Sequence, residues 1–508
     1  MKTLALFTSV LFATACGDNY NPSNPDANEV DAPTVDAPAV DSPPGWTPPT
    51  AQSLQISATQ PDVIMSAAAG PNGSFYAAGY LDTDIGGGTI ERRIIVFKLG
   101  SSGVPDATFG TSGKADTGFV FRGGTDDIDI ATLSNGDIIV SATVAAEVAN
   151  GADASDTDIG LIKLSATNGA VVTAWGTNGL VRHSFNTSLT SANRDAARGL
   201  AIGTGDTIYV TGAGRGPGNQ QPGNTEARID LDFYVVKLAA TGTIANDWGD
   251  GDSGQRAIDL FLPAFGTITP NVHAGATVRG VIALADGSVI AGGYARNTLT
   301  LSPQPVLFKL DANGDLATGF ADGGIFHSTV LGGQTEVYNF ALHGDKVVTG
   351  GYGREAATGP NDWISMRFNV SDGARDMTWG NATLGKNLFD VDPSIQDEGS
   401  NCFSAIALPN GKTLLIGSTG TAASGQPPSA TQDAAFAVLA ADGTRDIAYG
   451  TGLAKYKLSS TDDGADQFWG AAVSGDKVLI VGWRGATIAN PQTAENNDNS
   501  YAVLLDIE

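Results

Sequence analysis

Five aspartates recur at one position relative to an apolar residue that ends a strand-like run. A ring of carboxylates repeated in this way could bind a cation such as calcium, or a basic ligand. An aspartate at the start of a strand also accepts backbone hydrogen bonds and fixes the preceding loop, and we favour this structural interpretation. The five lie six residues before the apolar residue: Asp158, Asp232, Asp362, Asp433 and Asp498.

Other residues that could perform chemistry do not form a recognisable motif. The segment DGDSG, residues 250–254, has two acids of a calcium loop but lacks the distant glutamate, so a decorated turn is expected. Cys402 is interpreted as a small buried hydrophobic residue. We predict no catalytic residues, no metal site and no cofactor, with calcium at the aspartates left open. The histidines lack metal-ligand spacing: His183, His273, His327 and His343.

The elements that must position these residues repeat along the chain. Each repeat has a tight-turn dipeptide such as Asn72-Gly73 or Asp286-Gly287, an apolar run, and a second apolar run. Apolar runs flanking Asn-Gly or Asp-Gly indicate a β-hairpin, and an aromatic turn after the second run leads into another short strand. Each unit is therefore predicted to contain four strands. The second runs end at Leu99, Leu164, Leu238, Leu310, Phe368, Leu439 and Leu504.

Seven four-stranded units predict an all-β, seven-bladed β-propeller of antiparallel blades over residues 51–508. A linear solenoid is the alternative arrangement of the same units. The seventh unit reaches Tyr501–Glu508 without a fourth strand, whereas SLQISA, Ser53–Ala58, precedes the first unit and belongs to none. We expect this N-terminal segment to join the C-terminal blade and to close the ring.

The turn after the second apolar run resembles a known bacterial repeat. The stretch FKLGSSGVPDATFGTSGK, from Phe97 to Lys114, is similar to the delta-60 repeat of bacterial surface and secreted proteins. In the family, a basic residue precedes the Leu that ends the second apolar run. The first four units have a lysine at this position and the fifth has Arg367. The last two units have Val438 and Val503 instead. The resemblance implies a propeller-like architecture, and it implies no catalytic residues.

The N-terminus has the pattern of a targeting signal. Residues 1–15 carry one lysine, an apolar stretch and small residues, as a secretory signal peptide does. Cys16 follows, and ATAC resembles the lipobox of bacterial lipoproteins, although Ala13 replaces the usual aliphatic residue. The resemblance implies that Cys16 is lipidated, and Gly17 favours the outer membrane. A cleavable signal with secretion is the alternative.

The segment after Cys16 is predicted to be a disordered tether over residues 16–50. It is rich in Pro and Asp and repeats Val-Asp every five residues, a composition that cannot bury a core. The net charge of −26 argues against nucleic-acid binding, which needs clustered Lys and Arg. We therefore expect a monomer held at a membrane by its lipid anchor.

The sequence favours a non-enzymatic binding or scaffolding protein of the cell envelope, with an unknown protein or glycan ligand. The loops between strands two and three and the blade-to-blade connections share one face and vary most, for example at 213–231 and 261–277. Variable loops on a rigid scaffold are where binding usually occurs. An envelope enzyme, such as a hydrolase, a lyase or a quinone-dependent dehydrogenase in the propeller channel, is the alternative.

Overall fold

The strands pair in seven four-stranded antiparallel sheets, as the repeats predict. The structure is a computed structural model, and all of the residues that it describes lie in the unit Asp41–Glu508. The signal peptide, Cys16, most of the tether, Asp498 and most of the two variable loops lie outside the described residues. The described ranges are 46–57, 59–124, 126–146, 156–185, 195–215, 231–260, 275–296, 302–380, 385–391, 399–421, 432–449, 452–459, 465–487, 490–494 and 499–507.

The first four blades follow the chain, each as a meander of four neighbouring strands. Blade one contains β2 (Asp62–Ala69), β3 (Phe75–Asp84), β4 (Ile90–Leu99) and β5 (Lys114–Val120). Blade two contains β6 (Ile128–Thr132), β7 (Ile138–Ala145), β8 (Thr157–Leu164) and β9 (Leu180–His183). Blade three contains β10 (Ala196–Ile202), β11 (Ile208–Arg215), β12 (Leu231–Leu238) and β13 (Gln255–Ile258). Blade four contains β14 (Ala276–Ala283), β15 (Val289–Arg296), β16 (Pro303–Leu310) and β17 (Ile325–His327).

Blades five and six repeat this order, and blade seven departs from it. Blade five contains β18 (Gln334–His343), β19 (Lys346–Arg354), β20 (Asp362–Asn369) and β21 (Lys386–Phe389). Blade six contains β22 (Gly399–Ala407), β23 (Thr413–Thr421), β24 (Ala434–Leu439) and β25 (Leu453–Tyr456). Blade seven contains β26 (Gln467–Ser474), β27 (Lys477–Trp483), β30 (Ser500–Asp506) and β1 (Gln52–Ser53). A hairpin outside the blades pairs β28 (Gly485–Thr487) with β29 (Asn490–Ala494). Short 3₁₀ turns occur at Pro71–Gly73, Thr204–Asp206, Asp250–Asp252, Pro409–Gly411 and Ile447–Tyr449.

The ring closes through the N-terminal segment, as expected. Gln52 pairs with Ala502 and Ser53 with Tyr501, and the Leu54 amide donates to the Ser500 carbonyl over 2.9 Å. The paired stretch is shorter than the predicted one, because its register ends at Ser53. The segment nevertheless continues into the core, where Leu54 and Ile56 are buried beside blades one and seven.

Apolar cores lie between neighbouring blades, because strands two and three of each blade are buried on both faces. One core joins Tyr209 and Phe233 of blade three to Val289 and Phe308 of blade four. The aromatic turns predicted after strand three add a second contact between blades. Trp248 is buried, and a side chain added at Gly314 of the next blade would lie 2.7 Å from its ring. Glycine there, at a φ of +88°, permits this close approach.

The first strand of each blade lines a central channel. In six of the described first strands the pairing with strand two shifts by one residue, which marks a β-bulge. The extra residue is unpaired, and it lies at or before the middle of the strand. It therefore lies toward the face that carries the blade-to-blade connections, which we call the loop face.

Candidate functional site

The bulged residues form a ring at the loop-face end of the channel, which we call the mouth. Bulges often lie beside binding sites because they redirect a side chain from its regular position on the sheet. The ring contains large side chains, whereas the position that follows each of them is small or polar. Its members are Met65, Arg198, Arg279, Tyr338, Phe403 and Trp469, with Ile128 at the corresponding position of blade two.

One side of the mouth is a wall of aromatic rings. Phe403 and Trp469 stack with a centroid distance of 4.1 Å and an interplanar angle of 5°, and Trp469 is in turn stacked on Trp483. Tyr338 packs edge-on against Phe403, at 5.6 Å. These rings support each other from blades five, six and seven, so the wall is rigid and its exposed part is apolar.

The other side of the mouth is ionic. Arg198 contacts the carboxylates of Asp126 and Asp127, and Arg279 contacts Asp126 as well. The Arg279 guanidinium also lies 4.0 Å above the Tyr338 ring, which joins the two sides by a cation–π contact. Burial lowers the pKa of Arg198 to about 10, so both arginines are cationic at neutral pH. Two cations and two carboxylates leave this group electrically balanced.

A chain of hydroxyl groups extends from Arg279 to a buried acid. Arg279 donates to the Tyr338 hydroxyl over 3.0 Å, and the hydroxyls of Tyr338 and Tyr352 lie 2.8 Å apart. The Tyr352 hydroxyl donates to Glu336 over 2.9 Å. Burial raises the pKa of Glu336 above its ordinary value, against the opposing charge of Arg279. The carboxyl thus takes up a proton more readily than an exposed glutamate does.

The mouth leads into a cavity of about 450 Å³, within the range of small-molecule sites. The residues that follow the bulged positions also line the cavity, and several of them are polar. Ser66 donates to Asp129 over 2.6 Å, and Asp129 also accepts from the Leu200 amide of the next blade over 2.8 Å. On the opposite side Asn339 donates to Ser404 over 2.9 Å. These hydrogen bonds join neighbouring blades, and they hold the channel wall in place beneath the mouth.

The sequence-predicted aspartates lie elsewhere. The four that the structure describes belong to the start of the third strand of their blades, whereas the first strand lines the channel. The structure therefore does not bring these four carboxylates together around the channel, and cation binding by them stays a prediction. They are Asp158, Asp232, Asp362 and Asp433.

Each of these aspartates has a local environment that suits a structural role. Asp158 and Asp232 are buried within strand pairs, opposite Val144 and Gly214. Burial, with the charge of Asp390, raises the pKa of Asp362 to about 6. Asp433 accepts a backbone hydrogen bond from Thr419 at its main-chain carbonyl, over 2.8 Å. The structural interpretation of the repeated position stays a prediction.

A second set of aspartates, which sequence reasoning missed, ties one blade to the next. Asp466 precedes β26 and accepts the amides of Leu458 and Ser459 at 2.6 and 2.8 Å. Asp195 precedes β10 and accepts the Phe185 amide at 2.7 Å. Both carboxyl groups are buried, and burial raises the pKa of each to about 7. These residues fix the crossover between blades.

The remaining sequence candidates form no further site. Cys402 is buried, and burial raises the pKa of its thiol to about 12, as expected for an inert residue. Asp250 receives a hydrogen bond from Arg256 over 2.9 Å, in keeping with a decorated turn. Across the described ranges, no group of three or more His, Cys, Asp or Glu is placed to hold a metal ion. In the same ranges, no helix is long and apolar enough to cross a membrane.

The sequence does contain a signal for the mouth. Six or seven residues before the turn dipeptide, each unit has a large residue that is followed in most units by a small or polar one, for example Arg279-Gly280 or Trp469-Gly470. The same column changes from Met to Arg to Trp between units while its surroundings stay apolar and small. A repeat position that varies between units, inside an otherwise regular strand, indicates a side chain that faces the central channel.

Comparisons with known proteins assign no family to this chain. No family model and no curated protein matches this sequence. A Dyadobacter fermentans protein of unknown function is 12% identical, with a TM-score of 0.42, covering 77% of this chain and 97% of its own. The β-propeller domain of the Trilobed protease from Pyrococcus furiosus is 7% identical, with a TM-score of 0.40, covering 89% and 97%. A Trypanosoma rangeli sialidase is 12% identical, with a TM-score of 0.37, covering 84% and 57%. We derive no function from these likenesses.

Proposed function

We propose that this protein is a non-enzymatic binding protein of the bacterial cell envelope that takes its ligand at the mouth. One observation carries the proposal: bulges in successive blades turn large side chains of different chemistry into one rim around a cavity. A propeller that needed only a packed channel could fill it with similar apolar residues in every blade. Here the rim combines an aromatic wall with paired charges, the usual composition of a recognition site.

The cellular setting of the proposal rests on the sequence. A delta-60 repeat protein with a lipidated Cys16 and a tether of about 35 residues would hold the propeller away from its membrane. The acidic surface would keep the propeller soluble there. A tethered receptor of this kind meets its ligand by diffusion within reach of the tether.

A screen with the full chain tests binding at the mouth. Neutral saccharides, acidic saccharides, cationic saccharides and short peptides are added to wild type and to Arg279→Gln, and the melting temperature is followed. A ligand that binds the folded state raises the melting temperature as its concentration grows. We expect at least one class to do so for wild type and much less for Arg279→Gln.

The control is Arg256→Gln, which removes an ion-paired arginine from strand four of blade three, away from the mouth. It should respond to the ligand as wild type does. No response in any class, or an equal response in Arg279→Gln, would contradict the proposal.

A hydrolytic enzyme at the same mouth is the second candidate, and Glu336 is the observation that favours it. This buried carboxyl group has a raised pKa and is joined to the mouth through the hydroxyls of Tyr352 and Tyr338, so it can supply a proton by way of Tyr338. The test is turnover of nitrophenyl glycosides and esters by wild type and by Glu336→Gln. Turnover that Glu336→Gln abolishes would establish the enzyme. The binding proposal expects no turnover in either protein.

A further inference from the structure

We infer that the ligand of the mouth is a neutral carbohydrate, bound through one or two sugar units. This inference rests on the proposed function and narrows it to one chemical class. Three features of the mouth carry it: the balance of its charges, its apolar wall, and the position of its hydrogen-bonding groups.

The charge balance selects against ionic ligands. Arg198 and Arg279 already contact Asp126 and Asp127, and both arginine side chains are largely buried, at 19% and 11% exposure. An anionic ligand would have to displace a carboxylate from an arginine, and a cationic ligand would have to displace an arginine. Separating such a buried pair leaves an uncompensated charge and is costly. A neutral ligand leaves the pairs intact.

The aromatic wall offers a complementary surface to the C–H face of a sugar ring. Burial of apolar area between the two surfaces contributes to binding. Tyr338 and Trp469 are half-buried, so part of each ring borders the cavity. Their mutual packing and the stacking on Phe403 fix these surfaces before a ligand arrives.

The ionic side offers hydrogen-bonding groups at a fixed position. The charged side chains of Asp126, Arg198 and Arg279 line the cavity. Each sugar hydroxyl both donates and accepts, so a sugar can engage such groups without a net charge. A ligand with one apolar face and a rim of hydroxyls fits both sides of the mouth.

The size of the cavity limits how much of a glycan enters it. A space of about 450 Å³ suits a ligand of small-molecule size. We therefore assign the mouth to the end of a glycan chain or to a free disaccharide, with any remaining units extending outward at the loop face.

The experiment compares three disaccharide probes that differ in charge. Di-N-acetylchitobiose is neutral, its deacetylated form is cationic, and digalacturonate is anionic; maltose, cellobiose and lactose extend the neutral set. Each is titrated into the full chain while tryptophan fluorescence and the melting temperature are followed. We expect a saturable response to at least one neutral disaccharide and a response at least about tenfold weaker to the charged ones, because a charged group needs a paired partner.

Variants localise the response. Arg279→Gln should weaken binding of the neutral disaccharide about tenfold or more, the usual effect of losing a hydrogen bond to a charged group. Arg256→Gln should leave it unchanged. If Arg279→Gln does not fold, Trp469→Phe replaces it, because phenylalanine retains the stack on Phe403 while reducing the sugar-facing area. It should weaken binding and reduce the fluorescence change.

The outcomes separate this inference from the proposed function. A charged saccharide or a peptide that binds through Arg279, with no response to neutral sugars, overturns the ligand class and leaves binding at the mouth intact. A neutral sugar that binds wild type and both mouth variants equally overturns both, because its site then lies elsewhere. No response to any neutral disaccharide overturns the inference.

Discussion

The residues that distinguish this propeller are those that differ between its blades at one structural position. Six first strands share a bulge, yet the bulged residue is Met, Arg, Arg, Tyr, Phe or Trp. The backbone at this position is similar in the six blades, whereas the side chains differ. Chemically different groups therefore lie together at the mouth. By contrast, the four described aspartates of the most regularly repeated position lie at the start of third strands, away from the channel.

Asp466 gives the protein a pH-dependent stability. Its pKa of about 7 in the folded protein exceeds the ordinary value of 3.8, so the folded state binds the proton more tightly. The stabilisation is complete below about pH 4 and is lost as the pH rises through about 7. The Asp466→Asn variant cannot titrate at this position. Between pH 5 and pH 8, its free energy of unfolding should therefore fall by about 2 kcal/mol less than that of wild type.

Urea denaturation at pH 5, 6, 7 and 8 measures this difference. Asp106→Asn is the control, because hydrogen bonds from Thr108 and Lys98 hold the pKa of Asp106 at about 2, below this range. It should show the pH profile of wild type. An Asp466→Asn profile as steep as that of wild type would show that this carboxyl group does not titrate differently on folding.

At the scale of elements, the sequence predicted the strands well and the mouth poorly. Turn dipeptides and apolar runs are local signals, so they define β2 to β4 and their counterparts without any knowledge of the ring. The mouth depends on which first-strand residue is pushed out of register, and register is decided by pairing with strand two. Arg198 and Asp126 meet only after blades two and three pack together, and no spacing along the chain indicates that contact.

The closing segment makes a prediction about stability. Leu54 is buried between blades one and seven, so Leu54→Ala should lower the free energy of unfolding by about 2–5 kcal/mol. Gln52 is exposed two residues earlier, and Gln52→Ala should change it by less than about 0.5 kcal/mol. Denaturant unfolding of both variants measures the difference.

Deletions give the complementary test. Removing residues 51–60 should lower the melting temperature far more than removing residues 17–45, because only the former contribute β1 and its buried continuation. Equal melting temperatures for the two deletions would mean that the segment does not close the ring in solution.

At the scale of the whole molecule, we propose that Cys16 carries a lipid anchor. The anchor predicts that metabolic labelling with a radioactive fatty acid tags wild type and not Cys16→Ser when both are produced in bacteria. Serine retains the size of the residue but lacks the thiol that carries the lipid. Equal labelling of the two proteins, measured after gel electrophoresis, would exclude lipidation at this residue.

The ring is closed by the pairing of β1 with β30, and this pairing helps to fix the geometry of the mouth. Blade contacts through Asp195, Asp466 and the aromatic turns hold the first strands in place. Such a scaffold is preorganised, which favours binding because little conformational entropy is lost when a ligand arrives. The site therefore belongs to the assembled ring and to no single blade.

A crystal structure of the protein grown with its best-binding disaccharide tests the central claim most directly. Density for the sugar is expected at the mouth, with its C–H face packed against Tyr338 or Trp469 and its hydroxyls within hydrogen-bonding distance of Arg198 or Arg279. The ion pairs with Asp126 and Asp127 should remain intact. A sugar bound at another surface, with the mouth unchanged and empty, would contradict it.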